Sequence, residues 1–292
     1  MLEALYTALL VTSLLLNGLT LAARTPLQRL LAPLREPSLV VRIMLLDLIL
    51  LPTVIIGSAI IIGVDPVTRA GLVIVAASSC GPIGMVLSRL VRGDTALGVS
   101  IVVGLGALNL VTVPIVTGLL LPEGIAIPVA SLLLSLFSLA VMPLLIGRAF
   151  GILAERRGVA EERLTRLLST AARGANVLLA GAVTTALAIE PKVLLLLAGP
   201  VLPIGIAAML AVAVGSRLVT SDPARRRTII VGVNARAVGL ALTLVALHLG
   251  DVEGVRAIVL AYGGLTQIVP VLTVLAARRR RGPDVVSAPQ PS

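Results

Sequence analysis

Apolar stretches of about 20 residues recur along this chain from one end to the other, the length an α-helix needs to cross a ~30 Å hydrocarbon core. A bilayer interior offers no water to hydrogen-bond an open backbone, so segments of this kind must satisfy their own amides and carbonyls. With 58% hydrophobic and 13% charged residues, the chain is excluded from the ordinary soluble class. The expectation is an all-α, polytopic membrane protein with one transmembrane domain over residues 1–281. Its halves fall at about 1–121 and 125–277, and residues 282–292, rich in Pro and Ser, form a short disordered cytoplasmic tail.

Hydropathy places spans at 2–23, 39–63, 66–91, 95–121, 125–150, 166–189, 192–219, 228–249 and 252–277, about nine helices. Met1 to Arg24 reads as the first of them: Glu3 stands where a signal peptide would carry basic residues, and no cleavage site is evident. Between the spans, every second loop is Arg-rich, from Arg24, Arg29 and Arg35 to Arg225–Arg227 and Arg278–Arg281. The positive-inside rule then puts the N-terminus outside and the C-terminus in the cytoplasm. The net charge of +10 is thus explained by topology and lipid headgroups, without a nucleic-acid partner. Arg is preferred over Lys, and Ala, Leu and Val are abundant, which points to a GC-rich bacterial source and its inner membrane. The polar segment Gly151 to Arg166 is expected to lie along the cytoplasmic surface between the halves.

Two spans are interrupted. Thr228 to His248 carries Asn234 and Arg236 near its middle, flanked by Gly232 and Gly239. The third span contains Ser78-Ser79-Cys80-Gly81-Pro82-Ile83-Gly84, where Pro82 removes a backbone donor. No short repeat is visible, but two broken helices in corresponding positions of two halves point to an inverted-repeat secondary transporter, with its site where the breaks meet.

A guanidinium at bilayer depth must face protein or water and find a partner. Arg236 therefore reads either as the residue for a substrate anion or as half of a structural ion pair. Asp47, the one acid deep inside a span, is its candidate partner and a candidate for a coupling proton or cation. Asn234 offers a donor and an acceptor to a ligand or to a neighbouring helix. The break exposes backbone groups of Ser78, Ser79, Cys80 and Gly81 to a substrate, and Thr266 and Gln267 are two further polar groups within reach of a cavity. Cys80 is either a soft-metalloid ligand or an inert packing residue, and His248, at a helix end, an interfacial polar tip. One Cys, one His and no Trp leave no disulfide, no multi-His zinc site and no stacking platform. No nucleophile–base pair, phosphate-cradling loop or paired carboxylates appear, so neither an enzyme nor a cofactor is expected.

The stretch SSCGPIGMVLSRLVRGDTALGVSIVVGLGALNLVTVPIV, followed by RRRTIIVGVNARAVGLAL, resembles the bile acid:sodium symporter family, of the bile/arsenite/riboflavin transporter superfamily. Leu90 to Leu97 (LVRGDTAL) matches its Leu-Ala-Arg-Gly-Asp/Asn-x-Ala-Leu pattern. Asn17 to Thr20, Asp47 to Pro52 and Val141 to Gly147 resemble three further signatures. The resemblance implies a core domain with two broken helices that cross, a smaller panel domain, and alternating access between them. It also implies sodium ligands at positions held here by Gly84 and Met85, where the family has Ser and Asn, and by Gly98, Val102, Ile230, Asn234 and Ala235; Asn234 keeps a polar side chain, as does Asp47 at a position where the family has Gln.

The expected function is transport of a small organic anion, with Arg236 for its charge, Asn234 for orientation and Asp47 for a coupling proton or an ion pair, transport being proton-coupled or ion-independent rather than sodium-coupled in the family's manner. Membrane lipids are the other partners. Two alternatives stand beside it: an arsenite or metalloid efflux permease using Cys80, and a non-transporting membrane sensor or interaction protein with the same fold.

Overall fold

The computed structural model describes residues 1–24, 36–81, 83–158 and 161–266. Gln267, the residues after it and Pro82 lie outside the described residues, so what the sequence predicts for them is not taken further.

Helices account for all regular structure among the described residues. They are α1 (Leu2–Arg24), α2 (Pro37–Ile62), α3 (Pro66–Ala77), α4 (Ile83–Leu90), α5 (Thr95–Leu120) and α6 (Val129–Arg156). There follow α7 (Glu161–Ile189), α8 (Val193–Ala198), α9 (Val201–Val219), α10 (Pro223–Asn234), α11 (Val238–His248) and α12 (Val255–Thr266). Six of them are long and apolar enough to cross a membrane: α1, α2, α5, α6, α7 and α9. The remaining expected spans are the broken pairs α3/α4 and α10/α11, and α12. The fold is thus all-α and polytopic, as the apolar runs require.

The expected surface segment between the halves is absent as a separate element. Its residues extend α6 to Arg156 and begin α7 at Glu161, because the leucines among its polar residues, Leu153 and Leu164, continue the helical pattern of the two long helices.

Two packing groups are evident. Helix α1 packs along α6 and α7, and small residues let the backbones close up: Pro143 lies against Gly18, the Leu19 carbonyl against Gly147, and the Ala23 carbonyl against Gly151. The second group joins α2, α3, α4, α5, α9 and α10 around the main buried core.

The two broken helices start alike. Asp65-Pro66 opens α3 and Asp222-Pro223 opens α10. In each, the aspartate caps the first turn, accepting from Thr68 N at 3.0 Å and from Ala224 N at 2.8 Å, while proline at the first helical position lacks an amide that would have no partner there. Both helices run 12 residues. Both carry Arg three residues after the proline, Arg69 and Arg226, each with a buried Nε that has no partner among the described residues. The shared opening and equal length support the correspondence of the two broken helices, although no short sequence repeat marks it.

Candidate functional site

The breaks meet. Helix α3 ends at Ser78, whose extended backbone (φ −79°, ψ 94°) leaves the helix. Helix α10 ends at Ala235, and Ala235 and Ala237 are the centres of two successive tight turns, Arg236 N donating to Asn234 O and Val238 N to Arg236 O, each at 2.8 Å. Their angles (φ −76° with ψ 72° and 65°) are those of inverse γ-turns. The unwound strands then pair: Gly81 N donates to Ala235 O and Ala237 N to Ser79 O, each at 2.9 Å. Cys80 and Arg236 face each other across this antiparallel bridge. A side chain at position 81 would sit 3.1 Å from Ala237 Cα, so glycine is what permits the approach.

Arg236 fills the space between the broken ends. Its side chain is 1% exposed. Nε donates to Val75 O at 3.3 Å, Nη1 to Val233 O at 3.4 Å and to Asp47 Oδ1, and Nη2 to Ala76 O. Val75 and Ala76 belong to the last turn of α3 and Val233 to the last turn of α10, so the cation neutralises the negative ends of two helices at once. Four of the five guanidinium N–H groups are therefore engaged.

Asp47 reaches the crossing from α2. It lies in a π turn, Leu46–Leu50, just before Pro52 removes another amide from the ladder. The residue is fully buried, and its second oxygen, Oδ2, has no partner among the described residues. The same holds for Ser79 Oγ, while Ser79 N donates to Asn109 Oδ1 at 2.9 Å.

Of the residues expected at the site, the structure brings together Asp47, Ser78, Ser79, Cys80, Gly81, Asn234 and Arg236. Their roles differ from a simple binding surface. Ser78 Oγ donates back to Ile74 O at 2.9 Å, and Asn234 Nδ2 to Ile230 O at 2.8 Å. Arg236, expected to take the substrate's charge, is enclosed in this conformation because protein oxygens already surround it. Thr266 is buried on α12 and donates to Gly263 O at 2.8 Å, and His248 Nε2 lies 2.9 Å from Ser135 Oγ on α6.

Cys80 is enclosed as well, 3% exposed, with Sγ 3.4 Å from Gly81 O. That sulfur stands where a side chain at position 84 would go, 2.7 Å from the place of its Cβ. The hydroxyl that the family resemblance implies there thus has no room as well as no residue. Among the described residues no three His, Cys, Asp or Glu side chains gather to hold a metal ion.

Asn109, on α5, escaped the sequence reading. The signal was available, since it is an amide in the middle of a 26-residue apolar helix, but nothing in the sequence said which backbone group it would meet.

Membrane-length helices together with two broken helix pairs crossed through a backbone bridge are the architecture of polytopic carriers. The sequence pattern of the Sodium Bile acid symporter family matches residues 11–194, more than half of the chain, and the protein belongs to that family. The match takes in the first break and stops before the second. No curated protein matches the chain.

Proposed function

We propose that this protein is a secondary transporter that moves a small organic anion across a bacterial inner membrane by alternating access, with Arg236 as a built-in cation in place of coupled sodium. The observation that carries this reading is the coordination of the Arg236 guanidinium by Val75 O, Ala76 O, Val233 O and Asp47. Carbonyls at two helix C-terminal ends with a carboxylate are what a bound alkali cation would seek. A tethered cation there holds the crossing together with no ion in solution. Membership of a family of transporters supports the carrier reading over an enzyme, and the alternation of Arg-rich loops supports an outside N-terminus.

Movement occurs between the α1–α6–α7 group and the second packing group, the panel and core that the family resemblance implies. Asp47 Oδ2 and Ser79 Oγ, both without partners among the described residues, are the groups at the crossing left for a proton or a water. The enclosure of Cys80 speaks against a metalloid thiolate, which needs an accessible sulfur.

Thermal stabilisation of the purified protein tests this. Organic anions and arsenite are each added in sodium and in choline buffer, and ligand binding to the folded state raises Tm by mass action. Equal stabilisation by an anion in both cations is the expected result. Stabilisation that requires sodium overturns the built-in-cation reading, and stabilisation by arsenite alone that is lost in Cys80→Ser establishes the metalloid reading instead.

A further inference from the structure

An anion carried through this fold needs a positive group within the membrane, and two of the candidates are already engaged. Arg236 is enclosed at the crossing. Arg256, near the start of α12, is 7% exposed, pairs with Glu3 at 2.8 Å and lies 4.9 Å from the centroid of the Tyr6 ring.

Helix α7 offers a third. The exposed faces of other membrane-length helices are what lipid demands: Ile49, Ile60 and Ile61 on α2, Leu134, Leu145 and Phe150 on α6, Leu210 and Leu218 on α9. On α7 the pattern differs. Leu168, Ala175, Ala182 and Ala186 are buried against the protein, and on the opposite side Arg166, Thr170, Arg173, Asn176 and Thr184 are exposed at helical spacing, with Val177 among them and Leu167 and Leu187 exposed at the flanks. Thr170 and Thr184 return their hydroxyls to their own helix, at 3.1 Å and 2.9 Å. Arg173 and Asn176 make no hydrogen bond or ion pair among the described residues.

Their depth follows from packing. Helix α1 runs parallel to α6, residues 18, 19 and 23 meeting 143, 147 and 151. The link from Arg156 to Glu161 is short, so α7 starts at the Arg24 end of α1 and runs back along it. A side chain at Gly181 would lie 3.7 Å from Leu9 Cδ1, which sets the register. At ~1.5 Å per residue, Arg173 sits ~10 Å and Asn176 ~15 Å in from the Arg24 end. The second figure is near the middle of a ~30 Å hydrocarbon layer, too deep for an amide to reach the interface.

The Asn176 edge of the stripe approaches the start of α11: Leu179, one turn beyond Asn176 and set toward the buried side of α7, lies 3.5 Å from where a side chain at Gly239 would begin.

We infer that the polar face of α7 lines the aqueous path beside the crossing, and that Arg173 with Asn176 forms the contact for the anionic substrate. This rests on the anion-carrier reading and supplies the accessible positive charge that Arg236 does not. Arg173 offers five N–H donors to a carboxylate or similar group, and Asn176 a donor and an acceptor about one turn deeper.

Cysteine labelling tests the assignment without knowledge of the substrate. The chain's one cysteine, Cys80, is buried, so introduced thiols report alone. Asn176→Cys, Ala180→Cys and, as a lipid-facing control, Leu210→Cys are treated in membrane vesicles of both orientations. The probes are an anionic sulfonatoethyl and a cationic trimethylammonioethyl methanethiosulfonate.

Positions 176 and 180 are expected to react and 210 not. At position 176 the anionic reagent is expected to react faster than the cationic one, a preference that falls several-fold with Arg173→Gln and survives with Arg173→Lys. Failure of 176 and 180 to react overturns the path, as does their spontaneous disulfide cross-linking between copies, which would show a second chain covering the face. Reaction at 176 with no Arg173-dependent preference overturns the anion site. None of these outcomes depends on the sodium-versus-choline result, so the two readings fail separately.

Discussion

Asp47 on α2 and Arg236 between α10 and α11 form a fully buried ion pair, 0% and 1% exposed, at the point where the two broken helices cross. The pair joins three elements, because the same guanidinium binds the last carbonyls of α3. Its energetics are those of buried charge: the partners need each other more than the fold needs the pair.

Removing one partner should therefore cost more than removing both. Asp47→Asn or Arg236→Met alone leaves an uncompensated buried group and is expected to destabilise by ~3–5 kcal/mol. The Asp47→Asn/Arg236→Met double variant is expected to lose less than the sum of the two. Arg236→Lys also fails, since one ammonium cannot reach carbonyls of two helix ends and a carboxylate as a planar fork does. Thermal melts in detergent measure all four. A double variant as unstable as the sum of the singles contradicts the pairing.

Position 84 gives a second expectation. Gly84→Ser restores the hydroxyl implied by the family resemblance, but places its Cβ 2.7 Å from Cys80 Sγ. Overpacking of this kind costs ~1–3 kcal/mol. Cys80→Ala in the same chain makes room, so the double variant is expected to recover most of the lost Tm. Neither variant should acquire sodium-dependent stabilisation, because the guanidinium still holds the carbonyls.

These relationships were unevenly legible in the sequence. The all-α membrane fold followed from apolar run length, and Asp47 as the candidate partner of Arg236 from charge scarcity: a deep acid and a deep base have few alternatives. The breaks at Ser78 to Gly84 and around Arg236 were marked by Gly, Pro and polar residues. What the sequence concealed was saturation. Nothing in a string of residues says that Arg236 will find three carbonyls as well as a carboxylate, since those acceptors are backbone and carry no residue signature. The Asp-Pro openings of α3 and α10 were visible but 157 residues apart in a chain with 18 prolines, and became a repeat only once each was seen to cap a 12-residue helix ending at the crossing.

Those caps make a third prediction, with a pH signature. Burial raises the pKa of Asp65, but hydrogen bonds from the Thr68 hydroxyl and from the Thr68 and Val67 amides outweigh it and hold the carboxyl below its usual value. A depressed folded-state pKa contributes stability that is fully present above the unfolded value of ~3.9 and is lost as pH falls through the folded one. Melts between pH 7 and pH 3 should show Tm falling at the acid end, less steeply in Asp65→Asn, which still caps. Asp65→Ala removes the cap at every pH and is expected to cost ~1 kcal/mol.

Asn109 provides the last test, of whether the first break is held or merely allowed. Ser79 lies past the end of α3, so its amide has lost its helical acceptor, and it is buried beyond the reach of water. Asn109 Oδ1 supplies the replacement at 2.9 Å. Asn109→Leu keeps the volume and removes the acceptor, leaving an orphan donor beside the Cys80–Arg236 bridge at a cost of ~1–3 kcal/mol. The loss is local, so hydrogen exchange should speed up at Ser79 and Gly81 while the amides of α9 keep their protection. Asn109→Asp retains the acceptor and should keep Ser79 protected, even if the added charge lowers Tm. Unchanged exchange at Ser79 in Asn109→Leu would mean that the antiparallel bridge alone fixes the break, and the amide of Asn109 would then have no part in shaping the crossing.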